Sequence, residues 1–321
     1  MNKDKDNLLF DRTKLKLKLL AERQHNLDLS VILPLENVSR IRKELQTIAA
    51  KCIIAKSNFA SIIFLMGAHV IRSGVQRYII DLMERGYLSC IAINGAGVIH
   101  DYEFSLIGKT TESVSNYIQN GQFGLWKETG RINDIVAIAA ERNKGLGEAI
   151  GRVIEGENFP HKDISVLAAG YRLGIPVTVH VGIGYDIVHE HPNCNGAAYG
   201  ATSYIDFLRF TKIMESLEGG VIMNFGSSVM APEVFLKSLA MVRNVALQEE
   251  KKIENFTTLV CDAKKLPEEY HLEPTPDNPD YYFRPWKTML VRTQYDKGSS
   301  FYIEGQHSDV IPELWTAIMC S

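Results

Sequence analysis

The sequence predicts a doubly wound α/β fold, a mostly parallel sheet with helices on both faces. Two observations carry this reading. Short apolar runs alternate with longer segments of helical spacing along most of the chain. Most of those runs end on glycine next to a small or polar residue, as strand-to-helix turns do.

The elements follow in order. Residues 61–66 (SIIFLM) form a buried strand, and Gly67 ends it. Residues 70–85 carry apolar side chains at 71, 75, 78, 79, 82 and 83, which is helical spacing, and Gly86 caps that helix. Residues 88–93 are the next strand, closed by Asn94-Gly95-Ala96-Gly97. Residues 112–120 and 133–155 read as helices, the second interrupted at 144–147. The stretch 105–160 lacks strand signals and reads as an insertion lining a site. A helix at 164–173 leads into a strand at 176–181, and a helix at 202–217 into a strand at 220–225. Gly226-Ser227-Ser228 follows, with Pro232 in the first turn of a helix reaching about residue 251. Residues 256–261 and 288–292 are further strands, and 308–319 a closing helix. The Pro-, Asp- and Tyr-rich loop at 266–284 is long enough to be functional. The organisation expected is a helical extension over 1–54 and a single domain over 55–321.

Composition narrows the partners. With 321 residues and a net charge of −3, the chain has neither a basic surface for nucleic acid nor one for a membrane. Lys14, Lys16 and Lys18 read as a solvated helix face. The five scattered cysteines fit free thiols in a reducing compartment, with Cys52, Cys90 and Cys261 as core residues. No run of 18 apolar residues and no signal-like segment is seen, so a cytoplasmic location is expected.

Four constellations carry potential chemistry. The glycine turns at Gly67, at Asn94, Gly95, Ala96 and Gly97, at Gly182 and Gly184, and at Gly226, Ser227 and Ser228 suit a nucleotide phosphate or simple tight turns. His180, Asp186, His189, Glu190 and His191 crowd twelve residues at a strand end. They suit acid–base work, a metal-assisted hydrolase or lyase, or loop structure. Lys287, after Pro285 and Trp286, is either an imine-forming nucleophile or an edge lysine, with Trp286, Tyr281, Tyr282 and Phe283 as an aromatic box or as core. His100, beside Asp101 and Glu103, is an acid–base candidate, with Asp101 as a helix N-cap.

In this order the pieces resemble deoxyhypusine synthase over residues 55–315. The resemblance rests on 63–86 (IFLMGAHVIRSGVQRYIIDLMERG), on Asn94-Gly-Ala-Gly-Val-Ile-His-Asp101, on Pro176-Val177 with Asp186, and on Gly226-Ser-Ser-Val229. It continues through Arg243-Asn244, Thr257-Thr258 and Pro279-Asp280, seven residues before Lys287. The resemblance implies a Rossmann-like fold, NAD as cofactor, and a homotetramer with sites at subunit interfaces. It implies oxidation of a polyamine such as spermidine and transfer of its alkylamine group through a lysine imine to a protein acceptor. Carried over, Lys287 is the nucleophile, and His100, Asp186 and His189 are acid–base groups. NAD falls to Gly67, 94–97, 226–228, Thr257, Thr258 and Glu304, and substrate to His180, His191, Asp280, Tyr281 and Trp286. The sequence departs from the family at Met230-Ala231-Pro232-Glu233, where the family has its histidine, at His100 for a glutamate, and at Tyr281 for a carboxylate. A non-catalytic NAD-binding protein is the remaining alternative.

Overall fold

The computed structural model describes residues 9–294 and 298–320. Six parallel strands form the central sheet: β1 (Ile62–Met66), β2 (Cys90–Asn94), β3 (Val177–His180), β4 (Val221–Phe225), β5 (Thr257–Asp262) and β6 (Ser299–Glu304). Their spatial order is β3-β2-β1-β4-β5-β6. The chain therefore reverses its direction of growth between β1 and β4. That switch point is where open α/β sheets hold ligands, outside the carboxyl ends of the strands.

Alternation along each strand explains the layers. In β1, Ile62, Phe64 and Met66 enter one core with the helices α1 (Lys43–Ser57), α2 (Ala68–Arg72), α3 (Gln76–Glu84), α4 (Gly95–Ile107) and α11 (His307–Met319). Ile63 and Leu65 enter the other, with α9 (Gly196–Met214) and α10 (Met230–Gln248). Both faces are dry, so the strands read as apolar runs. Between β2 and β3 lie α5 (Val114–Ile118), α6 (Lys127–Glu141) and α7 (Leu146–Gly156), in the helical insertion expected over 105–160, and α8 (Val166–Leu173), the helix expected to lead into β3.

Three local readings need correction. The helix expected over 70–85 breaks into α2 and α3 at Ser73-Gly74. Gly74 takes φ +77°, and a Cβ there would fall 1.8 Å from the Val31 carbonyl oxygen, because an N-terminal strap crosses at that point. The strap also replaces most of the helical extension. Residues 9–42 hold only single 3-10 turns, and Leu27–Asp28 pairs antiparallel with Lys109–Thr110. Lys14, Lys16 and Lys18 are exposed on this strap, not on a helix face.

The third correction is the sixth strand. Residues 285–292 form a π-helix, Pro285–Arg292, and the strand is Ser299–Glu304. A short apolar run fits a strand or a helix buried all round, and periodicity does not separate them. Here the run lies across the sheet, where the Met289 carbonyl accepts the Thr258 hydroxyl at 3.1 Å.

Asp101 also differs from expectation. The N-cap of α4 is Asn94, whose side chain accepts the Gly97 N–H at 3.1 Å. Asp101 lies inside α4 and caps α8 instead, accepting from Ser165 Oγ (2.5 Å), Val166 N (2.9 Å) and Leu167 N (3.3 Å). Burial raises its pKa to about 6. Asp101→Ala is expected to cost roughly 3 kcal/mol, since it strands three buried donors. Urea denaturation measures this, and a cost below about 1 kcal/mol would contradict the capping role.

Candidate functional site

The switch point is bare of side chains. A Cβ on Gly67 would fall 2.4 Å from the Gly226 carbonyl oxygen, so the ends of β1 and β4 touch backbone to backbone. Gly226 itself takes φ +63°. Above them lies a cavity of about 610 Å³, lined by Gly67, Ala68, His69, Asn94, Gly95, Ala96, His180, Gly182, Asp186, Gly226, Ser227, Ser228 and the first turn of α10. That size suits a cofactor or drug-sized ligand.

The backbone around it is partly open. Ser227 Oγ accepts the Ala231 N–H at 3.0 Å, and Asn224 Oδ1 accepts that of Ser227 at 3.2 Å. The N–H groups of Ser228, Val229 and Met230, at the start of the 19-residue α10, have no partner among the described residues. The N-terminus of α4 is closed. Asn94 takes the Gly97 amide, and the Ala96 amide serves the Asp186 carboxylate, which leaves no room for a side chain at Gly95. Asn94, Gly95, Ala96 and Gly97 thus shape one wall, and the open amides belong to α10.

Asp186 stands between this cavity and a second chamber of about 340 Å³, and it lines both together with Ala96 and Tyr185. Burial lifts its carboxyl to about 6, against the opposing pull of the Ala96 amide. His180 ends β3 inside the first cavity, with Nε2 3.0 Å from Thr178 Oγ1 and its ring edge-on to Phe210. Burial lowers its pKa to about 3, so it is neutral.

The sign of that shift gives a pH test. An unfolded histidine near 6.5 binds protons that the folded one refuses down to about 3. The resulting stability is full above 6.5 and is lost as the pH falls toward 3. Plotted as wild type minus His180→Gln, stability is expected to rise with pH across that window, at up to about 1.4 kcal/mol per pH unit. A flat difference would remove the buried neutral histidine.

The remaining residues of the histidine cluster are engaged separately. His189 accepts the Gly184 and Asp186 amides on Nδ1, both at 3.2 Å, and packs edge-on against Tyr199. His191 is fully buried, with Nε2 2.8 Å from the Gly124 carbonyl and its ring against Gly130. It clamps α6 and reaches neither cavity, so it is not a substrate ligand in this arrangement. Among the described residues no group of three or more His, Cys, Asp or Glu side chains converges on a point, so the geometry does not favour the metal-assisted reading.

His100 lines the second chamber rather than the first, with Nδ1 2.8 Å from Thr110 Oγ1. Burial pushes its pKa down to about 4. Thr257 and Thr258 open β5, level with Val221 and Ile222 at the start of β4. They therefore lie at the amino edge, five and four residues from the strand's far end, roughly 13–17 Å away at the strand rise. Glu304 ends β6 at the correct edge, but it is exposed and lines no part of the cavity.

Lys287 is buried, with Nζ 3.5 Å from the centre of the Tyr281 ring and 5.4 Å from that of Tyr282. It does not line the cavity of its own chain. Tyr281 thus boxes the lysine itself. Asp280 pairs with Lys264 at 2.6 Å, and Trp286 is a core residue donating to the Tyr270 carbonyl at 2.8 Å. None of these three lines the cavity.

Sequence reading missed Arg72, which lines both the second chamber and a neighbouring space of about 370 Å³ with His69, Asp262 and His307. The available signal was its position five residues after Gly67, one turn and more into the helix after the first strand.

No protein-family model matches the sequence, and neither does any curated protein. Solved structures do match. ArgZ, an arginine dihydrolase from the ornithine–ammonia cycle in cyanobacteria, is 13% identical with a TM-score of 0.51 over 88% of this chain and 33% of that one. AgrE, solved with ornithine and NAD+, is 14% identical with a TM-score of 0.51 over 90% of this chain and 34% of that one. A proposed deoxyhypusine synthase of Entamoeba histolytica is 9% identical with a TM-score of 0.43, covering 81% and 75%. The chain spans about a third of the length of ArgZ and AgrE. The likenesses to ArgZ and AgrE show the α/β fold and nothing finer. Among the described residues no helix is long and apolar enough to cross a membrane.

Proposed function

We propose that the chain is an NAD-dependent enzyme that oxidises a small amine. The supporting observation is the floor of the switch-point cavity, where Gly67 and Gly226 meet without side chains beneath the open amides of Ser228, Val229 and Met230. A pyrophosphate fits such a place because bare backbone lets it approach and a helix N-terminus favours its charge. When bound, NAD supplies a hydride acceptor.

The chain supplies the rest. Ser227 and Ser228 line the cavity where the phosphates would be held. Neutral His180 offers a ring in the cavity without a competing charge. Asp186, with a pKa near 6, is mostly ionised at neutral pH and would take the proton that an ammonium must shed before its carbon can be oxidised to the iminium. Purified protein is expected to bind NAD with 1:1 stoichiometry by calorimetry and to form NADH when a substrate amine is added. Absence of NAD binding would overturn the reading.

One observation favours the further step to an alkylamine transfer. Lys287 is buried with no ion pair among the described residues. In that step the lysine nitrogen bonds to the imine carbon and the substrate's own nitrogen leaves as the amine. The cavity it would serve is that of a neighbouring copy, as the resemblance to deoxyhypusine synthase implies. Borohydride added during turnover is expected to leave a mass adduct on Lys287. Turnover without any such adduct restricts the reaction to the oxidation.

A further inference from the structure

The second chamber carries charges that the dinucleotide does not use. Its polar lining includes Arg72, His100, Thr111, Glu112 and Asp186, with Tyr185 beside Asp186. The other ionic pair there, Arg23 with Glu103, is closed on itself at 2.6 Å. Arg72 is different. Its Nη1 meets only His69 Nε2 at 3.2 Å, and its Nε is buried without a hydrogen-bond partner. No carboxylate of the described residues lies within ion-pair distance of it. Thr111, at φ +62°, also holds a buried hydroxyl with no partner. His100 is neutral, so it adds no charge. On the acidic side, Asp186 borders the dinucleotide cavity, and Glu112 is held by Trp126 Nε1 and the Gly124 amide.

A guanidinium with an unused planar fork asks for a carboxylate, while a carboxylate at the shared wall asks for an ammonium. We infer that the second chamber holds an amino acid, its carboxylate on Arg72 and Thr111 and its amine at Asp186, beside the dinucleotide. This rests on the NAD reading above and replaces a polyamine by a zwitterion. A polyamine has no group to meet Arg72 and would place a second ammonium near it, which burial makes costly.

The test uses the full chain saturated with NAD and two ligand pairs that differ by one carboxylate: L-ornithine against putrescine, and L-lysine against cadaverine. Calorimetry is expected to show at least one amino acid binding tenfold or more tightly than its diamine. Arg72→Gln is expected to erase that preference and leave NAD affinity unchanged. Equal binding within both pairs, binding of none of the four, or an Arg72→Gln protein that keeps the preference overturns the inference. So does one that loses NAD affinity instead, because Arg72 would then serve a nucleotide phosphate. Failure of the wild type to bind NAD at all overturns the underlying reading, which the NAD titration reports separately.

Discussion

The Glu103→Ala protein is expected to lose about 3–5 kcal/mol of stability, the usual cost of breaking a buried ion pair on one side. Glu103 sits on α4 with both oxygens fully used. Arg23 Nη1 and Nη2 donate at 2.9 and 2.6 Å, Thr129 Oγ1 at 2.6 Å, and Thr110 Oγ1 at 2.7 Å. Burial alone would raise its carboxyl, but the Arg23 charge and these bonds outweigh burial and hold it below the ordinary range. Removing the carboxylate leaves Arg23, on the strap itself, as an uncompensated buried cation 5.7 Å from the Trp126 ring centre. Urea denaturation of the single variant against the double variant Arg23→Met/Glu103→Leu separates the pair's net worth from the penalty of a stranded charge. The double variant is expected to recover most of the loss. A single variant within 1 kcal/mol of wild type would contradict the burial described. Because Arg23 and Glu103 also wall the second chamber, the same lesion is expected to weaken amine binding more than NAD binding.

The largest effect on binding is expected at the switch point. Gly67→Ala places a methyl group 2.4 Å from the Gly226 carbonyl, a distance that backbone must yield to. The yielding parts the ends of β1 and β4, where Gly67 N also donates to Phe225 O at 3.0 Å. NAD affinity is expected to fall by about a hundredfold or more, roughly 3 kcal/mol, with a stability loss of about 1–3 kcal/mol from overpacking. Val229→Asp provides a second route that spares the fold, since Val229 is 63% exposed. A carboxylate at the start of α10 repels the phosphates and is expected to weaken NAD at least tenfold without lowering the unfolding midpoint. If both variants bind NAD as wild type does, the dinucleotide does not lie here.

Five of the six strands were legible because their runs are apolar on both faces, and glycine follows four of them. The lining of the switch-point cavity was legible where a turn itself writes it, at Gly67 and at Gly226 to Ser228. It was not legible where tertiary contact decides the role. Asn94 to Gly97 read as a phosphate loop, yet Asp186, some ninety residues on, already serves the Ala96 amide. Asp101 read as a cap of its own helix, and it caps α8 across 64 residues. Thr257 and Thr258 fall to NAD only through the family resemblance, although the strand expected over 256–261 starts beside them, and β5 does begin there. The run after Pro285 is apolar enough for a strand, but it is wrapped on every side and closes into a π-helix. Arg72 stood in the turn-and-helix pattern with nothing in the sequence to mark it. Only the folded strap and the α4 wall show that its Nε is buried without a partner.

A crystal structure of the protein grown with NAD is the most direct measurement. The expected result is dinucleotide density along the carboxyl edge, with the pyrophosphate over Gly67 and Gly226 and against the amides of Ser228 to Met230. Density at the amino edge near Thr257 and Thr258, or a carboxyl edge that stays empty at saturating NAD, would contradict it.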